Sequence, residues 1–293
     1  MNKHCKICEI DRENQLTNGK KKLILKKSLN WRRKMSTSID LNADLGESFG
    51  VYRYGADEEL IPLVSSVNIA CGWHGGDPAT IRKAASLAKK HGVTIGAHPG
   101  YPDLMGFGRR YMALSPAEVT DSLLMQIGGL DGLCRAEGTC VSYVKPHGAL
   151  YNAAAKDSAL AEAIAEAVLL YDPKLMLLCP AGSAMEKSAR AKGIRVAEEF
   201  FADRGYRDDG SLVPRSEKNA VLSDPETISS RVLSAVKDGT VVTATGNLLS
   251  VSFDSVCLHG DNPEAVRLAA VIHNALQSSG IMIKAFAGAG HGG

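Results

Sequence analysis

No apolar run in the 293 residues approaches the roughly eighteen needed to cross a bilayer, and the N-terminus lacks the apolar centre of a secretory signal. Neither a membrane-spanning helix nor a secretory leader is expected, and a cytoplasmic location is the default expectation. The seven cysteines are odd in number and scattered, which is no disulfide framework, so reduced thiols are expected. Neither a G-x-x-x-x-G-K-[ST] loop nor a kinase-type glycine loop is present, and the first β-rich run is not followed by G-x-G-x-x-G. The familiar phosphate-cradling and dinucleotide-binding devices are thus missing. There is no internal repeat and no Pro/Gly-rich linker at mid-chain, which argues against two domains.

What is present can bury a full core: 45% of residues are hydrophobic and 23% charged. The net charge of +2 is unevenly spread. Residues 1–34 hold eleven Lys/Arg against three acids, a surplus of +8 that leaves −6 for the remainder. This arm lacks an amphipathic repeat, aromatic interleaving beyond Trp31 and any glycine-rich RNA-binding pattern, so neither nucleic acid nor membrane is expected as a partner. Residues 1–37 are expected to be a disordered extension, with Met35 as an alternative start. His4, Cys5 and Cys8 make half of a zinc-ligand spacing with no second half. Residues 38–286 would be one catalytic domain and 287–293 a Gly-rich tail.

Within the domain, β-rich runs at 38–43, 66–71, 93–97, 141–145, 174–179, 194–198 and 255–258 alternate with segments of helical period. The helical segments are 78–91, 116–137, 158–170, 183–191, 225–237 and 263–279. Asp77-Pro78 and Ser115-Pro116 with Glu118 are N-cap signals, and Gly92, Gly138 and Gly193 fall where C-terminal caps are wanted. Such βα alternation predicts parallel strands, and the polar residues gather where a barrel keeps its chemistry, just past the strands. The expected fold is a distorted seven-stranded, TIM-like (β/α) barrel. Asn42, Asp44 and Glu47 mark the end of the first run, Asn68 and His74 the second, His98 the third, Lys145 and His147 the fourth, Glu198, Glu199, Asp203 and Arg204 the sixth, His259 and Asp261 the last.

Four of eight histidines in equivalent places point to a shared cleft. Asp44 and Glu47, three residues apart, suit proton transfer or metal binding, or alternatively a capping box opening a short helix. Arg109 and Arg110 in a glycine-flanked loop suit a carboxylate or phosphate. Lys145 beside His147 would be costly to bury without a partner. Cys71, in "NIACGWHGGDP", has no matched base and is expected to pack rather than react.

The stretches "IDLNADLGESFG", "VNIACGWHGGDP", "GAHPGYPDLMGFGRR", "VKPHGALYN", "EEFFADRGYRDDGSLVPRS" and "LHGDNPEAV" stand in that order. Across residues 38–286 the chain resembles the LamB/YcsF family. The resemblance implies a distorted seven-stranded barrel similar to the glycoside hydrolase/deacetylase superfamily. It also implies a component of ATP-dependent 5-oxoprolinase, which opens 5-oxo-L-proline to L-glutamate with partner subunits B and C. ATP as co-substrate comes from the resemblance alone.

On that basis Asp44, His74, His98 and Glu47 are expected to be catalytic, with Asp44 paired to His74 or His98. Asn42, Asn68, Arg109, Lys145, His147, Arg204 and His259 are expected to bind substrate or phosphate. Two alternatives stay open: a metal-dependent deacetylase or amidohydrolase using a divalent metal on Asp44, His74 and His98, and a non-catalytic component that only binds the lactam.

Overall fold

All seven β-rich runs form strands, and they close on themselves. The computed structural model describes residues 38–218, 220–258 and 264–288. The basic arm with His4, Cys5, Cys8 and Met35, the loop holding His259 and Asp261, and residues 289–293 lie outside the described residues. The first six strands are β1 (Ser38–Leu45), β2 (Ser66–Ala70), β3 (Thr94–His98), β4 (Val141–Val144), β5 (Met176–Pro180) and β6 (Arg195–Phe201). A separate antiparallel hairpin, β7 (Thr240–Val242) and β8 (Leu248–Ser250), precedes β9 (Ser255–Leu258). Strands β1 to β6 pair in sequence order, all parallel, and β9 pairs with β6 on one side and β1 on the other. A two-residue strand, β10 (Met282–Ile283), adds beside the start of β1.

The crossovers are α1 (Asp57–Leu60), α2 (Pro78–His91), α3 (Pro116–Ala136), α4 (Gly148–Ala154), α5 (Ser158–Tyr171), α6 (Ala184–Ala191), α7 (Pro225–Asp238) and α8 (Ala265–Ser278). Their ends follow from local chemistry. Asp77 accepts from the Ala79 and Thr80 amides at the start of α2, and Gly92 ends it in the left-handed region at φ 67°. Ser115 and Glu118 form a reciprocal capping box on α3. Among the described residues no helix is long and apolar enough to cross a membrane.

The alternation within β1 explains the interior. Leu41, Ala43 and Leu45 join one hydrophobic cluster with helix residues such as Ile81, Leu123 and Ile164. The intervening Asp40, Asn42 and Asp44 reach across to other strands: Asn42 Nδ2 donates to Ser255 Oγ at 2.7 Å and to Glu199 Oε1 at 3.3 Å. The barrel is therefore apolar toward its helices and polar along its axis. Tyr143 crosses this interior, donating to Asn68 Oδ1 at 2.7 Å. Its ring occupies the space where a side chain at Gly96 would stand, since a Cβ there would lie 2.2 Å from it. Tyr143, Leu178 and Ala197 with Phe286 and Ala287 form a smaller apolar plug.

Candidate active site

The C-terminal ends of β1 to β4 bring four side chains together. Glu47 comes from the turn after β1, His74 from the loop before α2, His98 from the last position of β3, and His147 from the N-cap of α4. One donor atom from each lies within 4.8 Å of the others, and all four residues are buried. The rings of His74 and His147 stack with centroids 3.7 Å apart, and His98 stands edge-on to both. His74 Nε2 lies 3.2 Å from Glu47 Oε1. Burial first, and then neighbouring imidazoles, keep His74 and His147 well below the usual histidine range, so both rings are neutral.

The main chain fixes which nitrogens carry hydrogen. His98 Nδ1 lies 2.7 Å from the Lys145 carbonyl, and His147 Nε2 lies 2.8 Å from the Phe107 carbonyl. A carbonyl only accepts, so both of these nitrogens are N–H donors. A ring that holds its single N–H at such a donor carries its lone pair on the opposite nitrogen, and these opposite nitrogens, His98 Nε2 and His147 Nδ1, face each other at 3.0 Å. Two lone pairs at that distance repel unless a proton or a cation lies between them. The donor set of three imidazoles and a carboxylate suits a transition-type divalent cation. The group that could hold a metal is therefore Glu47, His74, His98 and His147, rather than the expected Asp44, His74 and His98.

Asp44 stands beside this group. Its Oδ2 is 3.5 Å from His98 Nε2, while its Oδ1 accepts from Lys145 Nζ at 2.9 Å and Asn68 Nδ2 at 2.8 Å. Lys145 is buried, and its ammonium also meets Glu199 Oε1 at 2.8 Å, Cys257 Sγ at 3.1 Å and Asn42 Oδ1 at 3.4 Å. Burial works against this ammonium, but Asp44, then Cys257 and Glu199, outweigh it and hold its pKa well above the ordinary value. Deeper in the barrel, Asp40 accepts from the hydroxyls of Ser65, Ser66 and Ser255. Burial raises its pKa to about 6 despite those three bonds. The interior thus holds Asp40, Asp44, Glu47 and Glu199 against one ammonium, an excess of carboxylate that a divalent cation would offset.

A loop from β3 to α3 covers the imidazoles. Phe107 is the one described non-glycine residue with positive φ, at 54°, and its ring meets His74 and His147 edge-on. Gly108 follows at φ 63°, so close that a Cβ would lie 2.7 Å from His74 Cβ and 2.8 Å from His147 Cδ2. Asp103 holds the base of the loop, accepting from the Gly106 amide at 2.9 Å and pairing with Arg110.

The expected residues sort themselves by these contacts. Asp44, Glu47, His74, His98 and His147 converge, and no helix opens at Asp44–Glu47, the next one starting at Asp57, so the capping alternative falls away. Asn42, Asn68 and Lys145 are committed to the barrel's own network. Arg204 donates to the carbonyls of Ala220 and Val213, tying down the loop after β6. Arg109 is exposed on the covering loop, with its guanidinium 5.0 Å from the Phe107 ring centre. The Cys71 thiol sits 3.5 Å from the Ile69 carbonyl and burial raises its pKa, which is packing rather than nucleophilic chemistry.

The model of the LamB/YcsF family matches residues 39–291. The chain belongs to the LamB/YcsF family. A relative from Pyrococcus furiosus, named as the A subunit of 5-oxoprolinase, is 51% identical over 84% of this chain and 96% of its own. One of the same name from Geobacillus kaustophilus is 54% identical over 85% of this chain and 96% of its own. The crystal structure of a lactam utilization protein from Thermus thermophilus superposes with a TM-score of 0.82 at 48% identity, covering 85% of this chain and all of that one.

The family match contains every residue of the site. It also contains two side chains that the strand-end reading missed, Tyr151 and Cys257, and Glu199, which that reading set at the end of the sixth strand without giving it a role. Tyr151 donates to Glu199 Oε2 at 2.7 Å, and Glu199 and Cys257 both touch Lys145. Glu199 lies within β6 and Cys257 within β9, not past their ends. The usable signal was the unbalanced charge of Lys145, which required carboxylates from other strands.

Proposed function

We propose that the chain is the A component of an ATP-dependent 5-oxoprolinase, hydrolysing the lactam of 5-oxo-L-proline to L-glutamate with subunits B and C in the cytoplasm. The reading rests on one juxtaposition: a buried centre of one carboxylate and three imidazoles, with Asp44 at its edge, in a chain about half identical to proteins that carry the 5-oxoprolinase name.

A five-membered lactam is a resonance-stabilised amide with little ring strain, so its carbonyl must be activated before water attacks. Phosphorylation of the carbonyl oxygen by ATP, with release of ADP, provides this: one water adds to the carbon, the C–N bond breaks as the nitrogen gains a proton, and a second water hydrolyses the resulting acyl phosphate to carboxylate and phosphate. Asp44 would take the proton of the attacking water, a role supported by Lys145 and Asn68 fixing one of its oxygens while the other faces the imidazoles. Lys145 acts through Asp44 and Glu199 without touching the substrate. Arg109, on the covering loop, is the cation offered to the substrate carboxylate or phosphate.

Glu47, His74, His98 and His147 would hold a divalent cation, which when bound polarises a carbonyl oxygen and acidifies a water molecule. Metal analysis of the purified chain is expected to find such an ion, and to find it lost in His98→Ala. A metal-free wild-type chain would instead place a shared proton between His98 and His147.

The reading as a whole is tested by omission. Glutamate release from 5-oxo-L-proline and ATP is expected only when this chain is combined with B and C. Equal release by B and C alone would remove the chain from the reaction.

A further inference from the structure

The loops that close the site are apolar on their outer side. Val51 is 86% exposed, Tyr52 77% and Met105 93%, and Phe49, Leu104 and Tyr111 are exposed as well. Phe49, Val51 and Tyr52 lie in the β1–α1 loop and the other three in the β3–α3 loop, and the two loops touch where the rings of Tyr54 and Phe107 meet at 4.8 Å. Large apolar side chains gathered this way on one face mark a surface that another molecule covers. The inner side of the same β3–α3 loop is Phe107 and Gly108, packed on His74 and His147. Whatever grips the outer side therefore bears on access to the centre.

Resting on the function proposed above, we infer that this rim is where a partner protein of the 5-oxoprolinase complex docks. Three observations favour a protein partner over a second copy or a lipid surface. The relatives are named as one subunit of an enzyme, which requires a surface for others. The patch lies on two loops beside the covered centre, one of which packs on His74 and His147, where an activated lactam would have to arrive without meeting bulk water. Its fringe carries exposed Arg53 and Arg109, Arg110 being paired with Asp103, so a second copy would bring like charges together. The complementary partner presents an apolar face edged with carboxylates. None of Val51, Tyr52 or Met105 belongs to the catalytic group, so the surface can be altered without altering the chemistry.

The test uses the full chain carrying Val51→Asp and Met105→Glu, co-expressed with subunits B and C. Retention of B and C on the tagged chain is expected to fall at least tenfold, with ATP-dependent glutamate release falling alongside it. The melting temperature and bound metal of the isolated variant should match wild type, which separates lost docking from lost folding. Retention equal to wild type would overturn the docking surface while leaving the proposed function intact. A wild-type dimer broken by the variant, with B and C still retained, would assign the rim to a second copy and overturn it too. Failure of the wild-type chain to assemble with B and C would overturn both the proposed function and this surface.

Discussion

Asp40 and Lys145 sit in the same barrel with opposite fates. Lys145 stays charged because Asp44 and Glu199 both contact it, at 2.9 and 2.8 Å. Asp40 has only serine hydroxyls, and its pKa rises from 3.8 to about 6. The folded chain therefore binds this proton more tightly than the unfolded chain does. The stability that Asp40 contributes is complete below its unfolded pKa and is lost as pH rises through about 6, a change of about 3 kcal/mol. Asp40→Asn removes that dependence. Denaturant unfolding of both proteins should show the wild type losing about 3 kcal/mol relative to the variant between about pH 3 and pH 7. A difference that stays flat across this window would mean that Asp40 titrates as an ordinary carboxyl.

At the scale of elements, the covering loop is decisive, and its glycines offer a paired comparison. Gly108 and Gly50 both have positive φ, 63° and 58°, so alanine meets similar backbone strain at each. Around Gly50 there is open space, whereas a Cβ at Gly108 collides with His74 and His147. Gly50→Ala should cost about 1–2 kcal/mol of stability and leave turnover unchanged. Gly108→Ala should add a loss of roughly a hundredfold in turnover of the complex, because the loop and imidazoles cannot both keep their places. Similar turnover for the two variants would show that the loop can shift without disturbing the centre. This loop was legible in the sequence as "GFGRR" on glycines and cations. Its contact with the histidines was not, because nothing local tells a loop which strand end it will fold over.

At the scale of the molecule, all seven barrel strands and six of the helices were legible, since periodicity and caps act over a few residues. The differences are instructive. β1 runs on to Leu45, so Asp44 lies within the strand; β6 reaches Phe201; and the β7–β8 hairpin, β10, α1 and α4 were not anticipated. The alternation of "IDLNADL" would fit a strand with one wet face, yet closure of β9 onto β1 turns Asp40, Asn42 and Asp44 into the barrel. The histidines were found by position, one per strand end. Their meeting with Glu47, and the lone-pair conflict between His98 and His147, exist only once the ring of strands is complete.

The central claim is that this buried centre hydrolyses the lactam, with Asp44 as its proton acceptor. It is tested most directly by ATP-dependent glutamate release from the assembled complex carrying Asp44→Asn, which keeps the size of the side chain and an oxygen for Lys145. Turnover should fall by about 10²–10⁴, with B and C still bound. Turnover within about a factor of two of wild type, well short of the loss expected for a proton-transfer group, would contradict it.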